Sequence, residues 1–266
     1  GNPADQSLRV LHMDGLIKLK KLLRVENLSK EQILHQISFD MEPGEMLAVM
    51  GPSGSGKSTL LYNVAGMDQP TAGQVWLGDV VITELSEDEK ARLRLYHMGF
   101  VFQQMNMMAN LNLLDNILLP AAQANRGKGR KSKEELRLRA QTLMEKLGIT
   151  GLEQRRVTQV SGGQLQRACI CRSMMNEPKI LFADEPTGAL NKSAAGEVME
   201  ELVKLNREGT TILMVTHDSR IASSCDRIIY LLDGQISAEL KLGKSVAGTE
   251  KQREEKVARW LMEMGW

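Results

Sequence analysis

The chain has 266 residues, enough for one large domain or one domain carrying an inserted lobe. Its 34 Lys and Arg against 33 Asp and Glu leave a formal net charge of +1, which argues against a whole face built for nucleic acid. Hydrophobic residues at 42% suffice for a core, whereas aromatics at 4% are too few for base-stacking platforms.

No apolar run reaches the roughly 20 residues needed to span a bilayer. The opening Gly-Asn-Pro-Ala-Asp-Gln lacks the basic end and apolar stretch of a signal peptide. Residue 1 is Gly rather than Met, so residues 1–13 read as an expression remnant or disordered tail, with Met13 a candidate native start. The 3 cysteines are an odd number. Cys169 and Cys171 would stand about 200° apart on a helix and cannot chelate together, so all of them are expected as reduced core residues in a cytosolic chain.

Residues 22–28 and 33–41 read as two short strands, followed by a Pro43-Gly44 turn. His35 alternates with apolar neighbours on the second strand and reads as a surface or edge residue. The apolar run 47–50 then feeds Gly51-Pro52-Ser53-Gly54-Ser55-Gly56-Lys57-Ser58-Thr59, and Leu60, Leu61 and Val64 follow at helical spacing. This matches the phosphate-binding pattern G-x-x-x-x-G-K-[ST]. Its glycines let several backbone N–H groups point into one hollow, and the following helix adds the positive end of its dipole. Lys57 is placed to reach the β- and γ-phosphates of a nucleotide, and the Ser58 hydroxyl to ligate Mg²⁺.

Pro70 to Gly73 forms another turn, before strands at 74–77 and 80–82. Ser86 and Glu89 have capping-box spacing, so a charged helix should run through Leu95. A strand at 99–102 ends in Gln103-Gln104. Between 105 and 160 the character changes to a helical insertion, Met/Leu-rich, then basic from Arg126 to Lys133, then helical through Leu136, Leu143, Met144 and Leu147 to a stop at Gly148. The run from Arg126 to Arg139 reads as a solvated loop and helix face rather than a nucleic-acid patch. Beyond it come a helix at 164–175, a strand at 179–183, a helix at 193–206 and strands at 211–215 and 227–232. Such alternation implies an α/β fold with a mostly parallel sheet. The tail from Thr249 has capping-box spacing to Gln252 and an apolar face of Val257, Trp260, Leu261 and Met264. That helix could dock on its own domain, a second copy or a partner, with its own domain favoured.

Two constellations remain. The apolar strand before Asp184-Glu185 ends in adjacent carboxylates, and ligands of parallel sheets gather at the carboxyl ends of strands. Asp184 is expected to hold Mg²⁺ through its water shell, and Glu185 to polarise the water that attacks the γ-phosphate. In Ser161-Gly162-Gly163-Gln164, Ser161 suits an N-cap and the glycines let N–H groups approach an anion at a helix start.

Val160 to Gln164 resembles the signature motif of ABC-type ATPases, usually written L-S-G-G-Q. With the phosphate loop and the acid strand, the resemblance covers roughly residues 22–240. It implies a P-loop NTPase with a RecA-like, mostly parallel core, a small N-terminal antiparallel β subdomain and an inserted helical subdomain at about 105–163. The ATPase domain would run from 14 to 240, with a C-terminal tail at 241–266. It further implies a head-to-tail homodimer on ATP binding, in which Ser161, Gly162, Gly163 and Gln164 face the γ-phosphate held by residues 51–59 of the other copy. Gln103 resembles the Q-loop glutamine that reaches Mg²⁺ and the attacking water. His217, in Val-Thr-His-Asp, resembles the switch histidine contacting the γ-phosphate.

The sequence departs from the family pattern in three places. Ser29 to Gln32 holds no aromatic to stack on adenine, leaving an aliphatic or Lys30 contact in its place. Asn191 stands where the D-loop usually has Asp, which removes a charge, and Val160 replaces Leu. A narrower likeness, in Glu84-Leu85-Ser86, Arg92, Arg94, 99–103 and 118–120, is to the subgroup serving lipoprotein release, macrolide export and antimicrobial-peptide resistance. There the ATPase works with an FtsX-like permease. The implied protein is a Mg²⁺- and ATP-dependent subunit powering a separate permease that exports or releases a peptide, lipoprotein or amphiphilic drug. It would sit in the cytoplasm, peripheral to the inner face of the membrane, without nucleic acid. A non-transport ABC ATPase acting as a regulatory or assembly module is the alternative. Met105, Met107 and Met108 fall where the family's permease docks, or else fill the helical lobe; both readings stand.

Overall fold

The structure, a computed structural model, describes residues 21–126 and 130–266. The expected tail at 1–13 and residues 127–129 of the basic run lie outside the described residues. In chain order the elements begin β1 (Leu23–Lys30), β2 (Leu34–Met41), β3 (Met46–Met50), α1 (Lys57–Val64), β4 (Ala72–Leu77), β5 (Val80–Val81) and α2 (Glu87–His97). They continue β6 (Met98–Phe102), α3 (Leu113–Ala124), α4 (Lys133–Lys146), α5 (Gly162–Met174), β7 (Ile180–Asp184) and α6 (Lys192–Arg207). Last come β8 (Thr211–Val215), α7 (Ser219–Ala222), β9 (Arg227–Leu232), β10 (Gln235–Lys241) and α8 (Glu250–Glu263). Two compact units result, one from the residues up to Arg94 together with Asn206–Trp266, the other Leu95–Leu205.

In the first unit, β2, β1, β4 and β5 form an antiparallel sheet in that order. Leu23, Val25 and Leu28 of β1 are buried, while Arg24 points outward and lies 4.5 Å over the Trp76 ring. Strand β3 is buried along its whole length and pairs in parallel with β8 on one side and β9 on the other. A continuous apolar run is what a parallel strand covered on both faces requires. Strand β10 adds an antiparallel edge to β9.

Helix α8 docks on this same unit. Val257 and Leu261 are buried, and Trp260 meets Tyr230 edge-on with ring centroids 6.2 Å apart. The Arg253 guanidinium donates to the carbonyls of Ser223 at 2.8 Å, Cys225 at 2.7 Å and Gly243 at 3.0 Å. The expected Thr249–Gln252 capping box does not form: no side chain caps α8, and the Thr249 hydroxyl donates back to the Val246 carbonyl. A Thr hydroxyl that finds a nearby carbonyl is lost to the helix amides.

In the second unit, β6 and β7 pair in parallel from Met98↔Ile180 to Phe102↔Asp184. Asn112 and Ser132 cap α3 and α4 through the amides of Asp115 and Glu135. Helix α4 stops at Leu147, and Gly148 takes the left-handed φ of 72° that ends such a helix. Met105 is buried, as is Asn116, whose side chain bonds both backbone groups of Met108.

No helix among the described residues is long and apolar enough to cross a membrane. Cys169, Cys171 and Cys225 are unpaired and buried. Burial pushes the Cys169 thiol up to about 11 and that of Cys225 to about 12, and raises Cys171 as well. At about pH 8, where only thiolates react, a thiol reagent should therefore label the chain only after denaturation. Rapid labelling of the native protein would contradict this burial.

Candidate functional site

The phosphate loop belongs to the first unit. It leaves the end of β3 at Gly51, where a Cβ would stand 2.1 Å from the Leu231 carbonyl oxygen, so no side chain fits. Gly56, at φ 98°, turns the loop into α1, which has no side-chain cap and no acidic residue in its first turn. A helix start of this kind presents amides and dipole to an anion. The Lys57 ammonium folds over the loop, donating to the Gly51 carbonyl at 2.6 Å and the Pro52 carbonyl at 3.1 Å. Ser53 and Gly54 are exposed at the loop tip, while Ser58 and Thr59 in the first turn of α1 are half-buried. The Ser55 hydroxyl is buried with no hydrogen-bond partner among the described residues. Its carbonyl accepts from the Gly234 amide at 3.2 Å, tying the loop to the β9–β10 turn.

His217 lies in the same unit and is exposed, two residues beyond β8. The pairing of Val215 with Val49 and the 3.2 Å bond from the Thr216 amide to the Val49 carbonyl bring it to the strand ends from which Gly51 departs. Asp218 next to it caps α7 through the Arg220 and Ile221 amides.

The second unit gathers Gln103, Asp184, Glu185 and the helix start at Ser161. Phe102 and Asp184 are in register, and the Gln103 amide donates to the Asp184 carbonyl at 3.1 Å. Asp184 is buried and Glu185 half-buried. Glu185 sits at φ 48°, a left-handed conformation rare for a residue with a side chain. The Gln103 side chain lies so close to Gly188 that a Cβ there would be 2.7 Å from its Cδ.

Ser161 caps α5 in a complete capping box. Its hydroxyl accepts from the Gln164 amide at 3.2 Å, and the Gln164 side chain accepts from the Ser161 amide at 2.9 Å. The side-chain oxygen of Gln164 is thereby committed to the helix start. Gly163 faces Ala194 and Gly162 faces Leu190, where an added Cβ would stand 3.2 and 3.1 Å from the nearest side-chain carbon, tighter than an ordinary contact. Asn191 accepts from the Ala194 amide at 2.9 Å and caps α6. Asn and Asp are equivalent in that capping role, so the lost charge leaves the local structure intact.

Two residues outside the expected set also shape the site. Gln166, fully buried on α5, donates to the Phe102 carbonyl at 3.0 Å and the Pro186 carbonyl at 2.5 Å. It ties the Ser161 helix to the strand end before Gln103 and to the segment after Glu185. Arg172 donates to the Met105 carbonyl at 2.8 Å and the Asn106 carbonyl at 3.0 Å, holding two successive left-handed residues behind Gln103. Lys30, one expected substitute for an adenine-stacking aromatic, is engaged elsewhere, donating to Asp68 at 3.1 Å and the Gln69 carbonyl at 2.7 Å.

The chain is similar to known proteins over most of its length. The family described as ABC transporter matches residues 34–188. The chain is 42% identical over 234 residues to the uncharacterized ABC transporter ATP-binding protein MJ0796 of Methanocaldococcus jannaschii, a match covering 85% of this chain and 97% of that protein. It is also 42% identical over 207 residues to the macrolide export ATP-binding/permease protein MacB of Bartonella henselae, covering 78% of this chain but only 31% of MacB. The dimeric post-hydrolysis structure of MJ0796 bound to ADP and Pi shares its fold at a TM-score of 0.75, with 37% identity over 84% of this chain and 100% of that one.

Replacing Gln166 by Leu would leave the buried Pro186 carbonyl without this donor and the Phe102 carbonyl with the Met105 amide alone, at a cost of about 1–3 kcal/mol. The variant should unfold in urea at a clearly lower midpoint with an unchanged slope. An unaltered midpoint would show that the amide does not hold these segments together.

Proposed function

The chain belongs to the ABC transporter ATP-binding family and is an ATP-hydrolysing subunit, and from that premise we propose how its residues divide the work and what they serve. Residues 51–59 cradle the phosphates through backbone amides, with Lys57 neutralising the β- and γ-oxygens. Glu185 orients and polarises the attacking water, and His217 contacts the γ-phosphate. Ser161 and the Gly162 and Gly163 amides of a second copy close on that same phosphate from the opposite side. Gln164 serves this contact indirectly, by fixing the Ser161 turn.

Mg²⁺ fits the chemistry of the donors assigned to it, the hydroxyl of Ser58, the amide oxygen of Gln103 and the carboxylate of Asp184, all hard oxygen ligands. When bound it would neutralise charge on the transferring phosphoryl group. Gln103 and Asp184 supply their share from adjoining strand ends, the arrangement that most supports the reading.

The downstream partner in this proposal is an FtsX-like permease, the chain acting at the inner face of the cell membrane. MacB, similar over part of its length, is named as an export ATP-binding/permease protein. Met105 is core, whereas Met108 is 49% exposed on the segment after Gln103 and offers the flexible apolar contact such a partner would take. The cargo is a peptide, lipoprotein or amphiphilic drug.

Glu185→Gln should still bind ATP while its turnover falls by about 10²-fold or more, read as phosphate release. Undiminished release would remove Glu185 from the mechanism. Lys57→Ala should lose measurable ATP affinity, and retained affinity in a titration would contradict its phosphate role.

A further inference from the structure

We infer that Arg253 is a positioning residue for His217: by holding the outgoing end of α7, it sets where the segment before that helix presents its imidazole. The inference rests on His217 contacting the γ-phosphate, as proposed above. Nothing in that mechanism uses helix α8, yet α8 is docked against the element that follows His217.

His217 stands between two anchored neighbours. Thr216 is buried, and its amide donates to the Val49 carbonyl at 3.2 Å, tying it to the strand that leads into the phosphate loop. The Asp218 amide donates to the Thr216 hydroxyl at 3.0 Å, while the Asp218 carboxylate accepts from the Arg220 amide at 2.9 Å. Helix α7, which Asp218 caps, is a single turn with Ile221 and Ala222 buried. So short a helix has little stability of its own, and its last carbonyls find no partner within it. Its place therefore depends on what holds its end.

That end is held by α8. The Arg253 guanidinium donates at 2.8 Å to the carbonyl of Ser223, the C-cap of α7, and at 2.7 Å to that of Cys225. The same guanidinium reaches the carbonyls of Leu242 at 3.2 Å, Gly243 at 3.0 Å and Lys244 at 3.4 Å. This second group is a fixed base. The Leu242 and Gly243 amides donate to the Asp226 carbonyl at 2.8 and 2.9 Å, and the Lys244 ammonium lies 2.6 Å from the Asp226 carboxylate. Asp226 in turn donates its amide to the Met46 carbonyl at 2.8 Å and accepts from the Met46 amide at 2.9 Å. Arg253 thus fastens the end of α7 to the start of β3, the strand that carries the phosphate loop.

Arginine suits this place because its planar fork offers five N–H donors that stay charged, where lysine offers three from one point. The fork arrives on an anchored helix. Val257, Trp260 and Leu261 share the face of Arg253, with Val257 and Leu261 buried and Trp260 against Tyr230. From Arg253 to His217 the path is one helical turn, short enough for a lost clasp to displace the imidazole. A displacement near 1 Å is costly to turnover while leaving substrate binding largely intact.

The test uses the full chain with Mg²⁺, reading phosphate release, ATP affinity and, with a non-hydrolysable ATP analogue, the NMR signals of the histidine imidazoles. The His217 signal is assigned by its loss in His217→Ala. Arg253→Met should lower turnover by about five- to tenfold with ATP affinity within about twofold. The His217 signal should shift and that of His35 stay in place. Arg253→Lys, which keeps the charge and part of the donor set, should lose only about two- to threefold, and it carries the test if Arg253→Met does not fold. Unchanged turnover in both variants, an unmoved His217 signal, or ATP affinity falling by the same factor as turnover would each overturn the inference. Undiminished turnover in His217→Ala would instead overturn the assignment of His217 to the γ-phosphate, and this inference with it.

Discussion

The amide of Gln166 is the joint on which the second unit depends. It is fully buried and bonds the carbonyls of Phe102 and Pro186, which belong to segments distant in sequence. A buried carbonyl without a donor is costly, so the Pro186 bond resists separation of the helix beginning at Ser161 from the segment after Glu185, while the Phe102 carbonyl also accepts from the Met105 amide. The capping box at Ser161 fixes the other end of the same lever.

The first unit meets a different constraint, closeness of backbone. Gly51 lies so near Leu231, and Gly234 so near Ile33, that side chains are excluded at both places. The loop is therefore shaped from outside by β9 and β10 as much as by its own glycines. Bracing of this kind lowers the ordering cost of binding. Helix α8 belongs to this frame too, because Arg253 collects carbonyls beyond α7 and beyond β10.

Much of this was legible in the residues. Strands β8 and β9 are found where unbroken apolar runs placed them, since a fully buried strand leaves a short run with sharp polar ends. The phosphate loop is legible because its function demands particular residues at fixed spacing. Strand β10 left little trace in the sequence, because its exposed Gln235, Ser237, Glu239 and Lys241 alternate with only half-buried Ile236, Ala238 and Leu240, a pattern ordinary for an edge. The Thr249 box failed because spacing alone does not decide between two acceptors for one hydroxyl. Gln166 had left a signal: with Gly163, Ile170 and Met174 it occupies one helical stripe, and a polar residue on an apolar stripe marks a buried hydrogen-bonding task. Which carbonyls it serves depends on tertiary contacts of high sequence separation, beyond any local pattern.

In the proposed mechanism one nucleotide phosphate is held between two copies of the chain. Light scattering of the wild-type protein with Mg²⁺ and a non-hydrolysable ATP analogue addresses it most directly. A solution mass that doubles with the analogue, and returns to that of a single chain when the analogue is removed, is the predicted result. A mass that stays at one chain under saturating analogue would contradict it.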